Sequence, residues 1–278
     1  TLLLLVILCG FALRFYRLGD WPEAFAADEA ALGYNAWSIL TTGRDEWGKL
    51  FPLTLRSFDD NKPAVYSYLD VPFVALFGLN EFTSRAPAAF FGSLLPISVF
   101  FLVFFVTKNY WIALVSAGVV VFSPRHIEVS RTAIESGVAM SIAVISYALM
   151  AKGNKKLDYL ALALIVLSLF TYHSARLVAP AVLVFSLITG ALKKPKVMTL
   201  SIVVLALTGL VLALTGSSMR FKQISIFSDL GAQLMREEAI REDGHPQFMI
   251  PATISHTIHN KPVSWAYSFT DSYLKNTS

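Results

Sequence analysis

Ionisable residues with the types and spacing to do chemistry collect at four places in this 278-residue chain. They are Asp28-Glu29, Asp59-Asp60-Asn61-Lys62-Pro63, Arg131-Thr132-Ala133-Ile134-Glu135 and His173-Ser174-Ala175-Arg176. The carboxylates can accept a proton, and the Lys and Arg side chains can compensate an anion such as a phosphate. Each group also has a plainer reading. Asp28 is a natural N-cap for a helix that Gly43 would stop, and could do no more than cap it. Lys62 is kept out of a helix by Pro63, which is itself placed to start one, and could simply snorkel to the membrane edge. Arg131 and Glu135, four apart on one helix face, could pair with each other. A lone His173 is more often a satisfied polar residue than a catalyst. No H-E-x-x-H, Walker loop, G-x-S-x-G or cysteine-based zinc spacing occurs.

The elements that must position these groups are set by an apolar composition. Hydrophobic residues make up 55% of the chain and charged ones 15%, with a mean hydropathy of +0.58. Soluble domains carry roughly 25% charged residues, so a soluble enzyme is excluded and an integral membrane protein is expected. The net charge of +4 has no basic stripe interleaved with aromatics, so nucleic acid is not an expected partner. The single cysteine, Cys9, rules out a disulfide framework or a cysteine metal site within one chain. An opening on Thr1 rather than Met, and a polar end at Asn276-Thr277-Ser278, leave room for a missing start and for further spans.

Apolar segments occur near residues 1–16, 63–79, 87–107, 110–124, 136–151, 157–172, 177–192 and 197–215. Short Lys-rich loops stay cytoplasmic, and Lys108, Lys152 to Lys156 and Lys193 to Lys196 fall on one side if two segments separate each from the next. That arrangement predicts seven spans, with 63–79 lying in or dipping into the outer interface. It leaves an outer loop at 17–86 and a transmembrane domain at 1–215. Beyond them comes an extracytoplasmic segment at 216–278, broken into short helices and turns by Pro246, Pro251 and Pro262. Eighteen of the nineteen Asp and Glu residues then lie outside, Asp158 being the exception. Asp28, Glu29, Asp59, Asp60, Lys62, Arg131, Glu135, His173 and Arg176 thus share the outer face. The expected fold is all-α, a polytopic transmembrane bundle with in-plane helices in its first outer loop.

Read in order, the Asp28-Glu29 pair, Asn61-Lys62-Pro63 with its aromatics, Ser84-Arg85-Ala86-Pro87-Ala88-Ala89-Phe90-Phe91-Gly92 and the S-P-x-x-I-x-x-S-R-x-x-x-E run from Ser123 to Glu135 resemble the GT-C glycosyltransferases. The likeness is to the relatives of protein O-mannosyltransferases and lipid A aminoarabinose transferases, and extends to about residue 195. Two departures stand out: Lys62-Pro63-Ala64 replaces the common K-P-P, and Glu135 stands where relatives often have Asp. The resemblance implies an active-site acid at Asp28, a lysine near the lipid-linked phosphate at Lys62, and further site residues at Arg131 and Glu135. With Glu29 beside Asp28 as a second catalytic candidate, Arg176 would join Lys62 and Arg131 on the donor phosphate. Asp60, Glu135 and His173 would support the site. The implied reaction moves a sugar from a polyprenyl-phosphate donor to a protein or lipid hydroxyl at the outer face of the plasma membrane, inverting the anomeric carbon. No cofactor is implied, and a divalent metal is left open. The rival classes are a transporter or flippase, which also embeds ionisable residues in membranes, and a non-catalytic membrane scaffold. The transporter's signature, broken helices at matching positions of two repeats, is absent from the sequence.

Overall fold

The computed structural model describes residues 2–57, 60–152, 154–176 and 178, with a scatter of positions beyond (202, 203, 206, 209, 210, 237–241, 243, 251, 255 and 270). The chain divides into two compact units, Thr1–Leu212 and Ala213–Ser278. Of the second, residues 237–241, 243, 255 and 270 are helical, and most of the short helices and turns expected over 216–278 lie outside the described residues. All elements named below belong to the first.

That unit is mostly helical, with one two-stranded hairpin. Helix α1 (Leu2–Phe15) is apolar and carries Arg14 in its last turn. Helix α2 (Ala27–Thr42) starts one residue before Asp28, so Ala26 holds the N-cap position and Asp28 lies inside the first turn. Alanine has no cap oxygen. Glu29 supplies the other half of the device, its Oε2 accepting from the Ala26 N–H at 3.1 Å. Gly43, left-handed at φ 68°, closes α2 with its N–H on the Ile39 carbonyl.

A tight turn follows, in which Asp45 Oδ1 accepts the backbone N–H groups of Trp47 and Lys49 at 3.0 and 2.8 Å. Strands β1 (Thr54–Ser57) and β2 (Asp60–Pro63) then pair antiparallel, placing Lys62 opposite Leu55. Pro63, expected to open a helix, instead ends β2, and α3 (Val65–Phe77) begins two residues later. Proline without an N–H is tolerated at the end of a ladder strand as readily as at a helix start.

Asn80 and Thr83 cap α4 (Glu81–Thr107) reciprocally, with Thr83 N to Asn80 Oδ1 at 3.0 Å and Asn80 N to Thr83 Oγ1 at 3.1 Å. Asn109, Ser123 and Asn154 cap α5 (Tyr110–Phe122), α6 (Pro124–Ser130) and α8 (Lys155–Leu169). Between α6 and α8 lies α7 (Glu135–Ala151). The chain leaves the helix at Arg131 and re-enters at Glu135, so these two residues sit on different helices and do not share a face. Ile134 is extended there (φ −108°, ψ 116°).

Helix α4 is the hub, packed against α1, α2, α3, α5, α6 and α7. Close approach is bought with small residues. A side chain at Gly33 would collide with Ser84, and one at Gly92 with Ser130, so α2 and α6 can lie tight against α4 only because both positions lack a Cβ. One apolar cluster (Leu32, Leu55, Ala64, Tyr66, Ala88, Ala133, Val138 and Ile142) ties α2, the hairpin, α3, α4 and α7 together directly beneath the polar residues of interest.

Helix α4, with 27 residues, is long and apolar enough to cross a membrane, at about 40 Å against a hydrocarbon core of roughly 30 Å. It is the one such helix among the described residues. Helices α5 and α6 together also qualify as a broken span, bent by 61°. With 13 residues, α3 is about 20 Å long and too short to cross by itself, and so are α1, α5 and α8 at 14, 13 and 15 residues, so helix length among the described residues gives one or two of the seven expected spans. The expected segments 177–192 and 197–215 lie almost wholly outside the described residues. Large apolar side chains are left exposed on α5 (Trp111, Ile112, Val115, Val119 and Phe122).

Candidate active site

Asp28 and Lys62 meet. The first turn of α2 presents the Asp28 carboxylate outward, 65% exposed, and β2 brings the Lys62 ammonium to 2.5 Å from its Oδ1. The lysine side chain is only 9% exposed. Its backbone is pinned on both sides, by the ladder to Leu55 and by Pro63. Residues 34 apart in sequence thus form a pair with a buried cation and a solvent-facing anion.

Glu29, the neighbour of Asp28, points the other way and is 5% exposed. Its Oε1 accepts from Arg85 Nε at 3.1 Å and from the Ala133 N–H at 2.7 Å, and its Oε2 from Arg85 Nη2 at 3.2 Å as well as from Ala26. Successive helix residues project about 100° apart, and that rotation separates an exposed acid from a buried one. Arg85 is wholly buried. Beyond Glu29 it donates to the carbonyls of Leu18, Pro22 and Ala24 at 3.2, 3.0 and 2.9 Å and lies over the Phe25 ring. Glu29 and Arg85 therefore lock the α1–α2 connection, the start of α4 and the α6–α7 turn into one body, on which Asp28 rides.

Arg131 grips the same connection from another side. Its Nη1 donates to the carbonyls of Leu13 and Arg14 at 2.8 and 3.3 Å, and its Nη2 to those of Arg17 and Trp21 at 3.3 and 3.1 Å. In place of the expected pairing with Glu135, Arg131 clamps the last turn of α1 and the turn that follows it. Glu135, half-buried, begins α7 within electrostatic range of Tyr66, as do Glu29 and Asp70. Tyr66 donates its hydroxyl to the Ser84 carbonyl at 2.8 Å, and burial, then Asp70, hold its phenol well above the ordinary range. Asp60 lies in β2 opposite Ser57, and Asp59 is outside the described residues. His173 and Arg176 are half-buried at the turn after α8, where burial lowers Arg176. Among the described residues no three His, Cys, Asp or Glu side chains are grouped to hold a metal ion.

Four polar groups of this region were not singled out by motif reasoning as a site. Arg85 was visible only as a letter in its motif. Arg14, buried, and His126, half-buried, are in contact, Arg14 Nη2 to His126 Nδ1 at 2.7 Å. Arginine has only donors, so the His126 ring accepts at Nδ1. The fourth is Asp70, fully buried on α3 with neither carboxylate oxygen hydrogen-bonded. Its signal was a charge inside an apolar helix.

Burial pushes the Asp70 carboxyl up to about 8 from 3.8. The unfolded chain releases this proton near pH 4 and the folded one near pH 8, so between them the folded state holds one more proton and stability falls as pH rises. The full slope is about 1.4 kcal/mol per pH unit. Melting curves in detergent from pH 4 to 8 should show that decline in the unsubstituted protein and a flatter profile in Asp70→Asn. Parallel profiles would put the slope on another group.

Comparison with models of known protein families, and with curated protein sequences, returned no match for this chain.

Proposed function

We propose that this chain is a polytopic membrane glycosyltransferase of GT-C type that transfers a sugar from a polyprenyl-phosphate donor to an acceptor hydroxyl at the outer face of the plasma membrane. The observation that carries the reading is the Asp28–Lys62 pair: an exposed carboxylate and a phosphate-ready cation, 2.5 Å apart on a rigid shelf built by Glu29, Arg85 and Arg131. In the proposed reaction the acceptor oxygen attacks the anomeric carbon from the side opposite the phosphate. Its proton passes to Asp28. The bond from the anomeric carbon to the phosphate oxygen breaks, and the electron pair leaves on the phosphate, whose charge the Lys62 ammonium compensates. One displacement inverts the carbon. Glu29 and Arg131 act at one remove in this scheme, because their polar atoms are engaged in holding the shelf.

Two further features support it. Exposed apolar side chains on α1 and α5 suit contact with lipid. A mostly apolar cleft of about 530 Å³, lined among others by His126, Val129, Met140, Val144, Tyr147 and Ala175, has room for part of an isoprenoid chain beside the α6–α7 turn. The test is to incubate the purified full-length protein with a panel of polyprenyl-phosphate sugars and to score release or transfer. Turnover of one donor class, lowered by at least about a hundredfold in Asp28→Asn, is expected. No turnover of any donor, with lipid or protein acceptors supplied, would remove the reading.

A further inference from the structure

The two roles assigned to Asp28 and Lys62 compete for the same atoms. Lys62 must meet the donor phosphate, yet its ammonium is held by Asp28, and Asp28 must accept a proton, yet one of its oxygens is engaged by Lys62. We propose, resting on the glycosyltransferase reading, that donor binding is a partner exchange: the phosphate displaces Asp28 from Lys62, and only then does Asp28 become free to take the acceptor's proton.

The asymmetry of the pair says which member moves. Lys62 is fixed, with its strand register set opposite Leu55, Pro63 restricting its backbone and a side chain only 9% exposed. Asp28 is 65% exposed, in the first turn of a helix whose cap contact is made by Glu29 rather than by itself. Its carboxylate can turn into solvent with no hydrogen-bonded structure lost beyond the pair. The phosphodiester of the donor carries one negative charge over two non-bridging oxygens, as the carboxylate does, so it can take over the charge-assisted contacts of the ammonium that Asp28 gives up. Losing Asp28 outright would leave a nearly buried cation without its anion, so the exchange goes forward only when another anion arrives. The consequence is an ordered reaction. The base is tied down until the leaving group is seated, so an acceptor that arrives first finds no activated base.

The exchange predicts an effect opposite in sign to that of ordinary site damage: removing the proposed base should strengthen donor-phosphate binding. The probe is a polyprenyl monophosphate, titrated in detergent against four forms of the full chain, unsubstituted, Asp28→Asn, Lys62→Ala and the double variant. Asp28→Asn is expected to bind about three- to tenfold more tightly, the scale of a partly exposed ion pair that no longer has to be broken. Lys62→Ala is expected to bind at least tenfold more weakly, and the double variant to match Lys62→Ala. That non-additivity separates release of Lys62 from simple repulsion between Asp28 and phosphate, which would persist without the lysine. Equal or weaker binding by Asp28→Asn, or a gain that survives in the Lys62→Ala background, overturns the exchange and leaves the donor site standing. No binding by the unsubstituted protein overturns both. If Asp28→Asn fails to fold, Asp28→Ser, which also removes the charge, takes its place.

Discussion

Replacing Asp28 with asparagine is expected to lower sugar-transfer turnover by roughly 10²- to 10⁴-fold, the usual worth of a positioned general base. The amide matches the carboxylate in size and cannot accept the acceptor's proton. Stability should fall as well, because the nearly buried Lys62 ammonium loses its anion, but by less than the roughly 3–5 kcal/mol of a pair buried on both sides, since Asp28 is open to solvent and the helix cap belongs to Glu29. Initial rates with the best donor of the panel, beside melting curves of the same preparations, are the measurement. Near-normal turnover with a folded variant would move the base to another outer carboxylate, with Glu135 next in line.

Arg85→Met is expected to give the largest loss of stability. Its guanidinium is wholly buried and carries two bonds to Glu29 and three to the α1–α2 connection. Methionine fills much of the same volume but leaves the Glu29 carboxylate buried with only the backbone N–H groups of Ala26 and Ala133. Breaking one side of a buried ion pair costs about 3–5 kcal/mol, a fall on the order of 10 °C in melting temperature for a chain of this size. Adding Glu29→Gln should return part of it, since the stranded charge goes with the substitution. A double variant that melts lower than Arg85→Met alone would show that the pair is not what holds the shelf. Turnover should fall in Arg85→Met as well, through displacement of Asp28 rather than loss of a group that touches substrate.

Helical content and the helix stop at Gly43 were legible in the linear order of residues, because these are local matters. Apolar runs of helical length favour helices in any fold. Gly43, Asn80, Asn109, Ser123 and Asn154 end or start helices through bonds that reach only a few residues. Placement of the N-cap at Ala26 rather than Asp28, and of Pro63 in a strand rather than at a helix start, was decided by partners elsewhere. Glu29 is drawn inward by Arg85, 56 residues away, and that rotation sets the phase of α2. Leu53 accepts the Ala64 N–H and β1 pairs with β2, which holds residues 60–63 extended.

The candidate site divides the same way. Residue type alone marked Asp28, Glu29, Lys62, Arg131 and Glu135 as chemically able. Nothing in their spacing distinguished an acid that faces solvent from one that braces the interior, or a cation that awaits an anion from one that clamps carbonyls. Those distinctions are questions of burial and of which unsatisfied group lies nearest, and they depend on contacts between residues 34 to more than 100 apart. Only the tertiary structure turned Glu29 and Arg131 into the frame and left Asp28 and Lys62 facing each other across it, because a buried charge must find its partners wherever the packing of α1, α2, α4 and the α6–α7 turn supplies them.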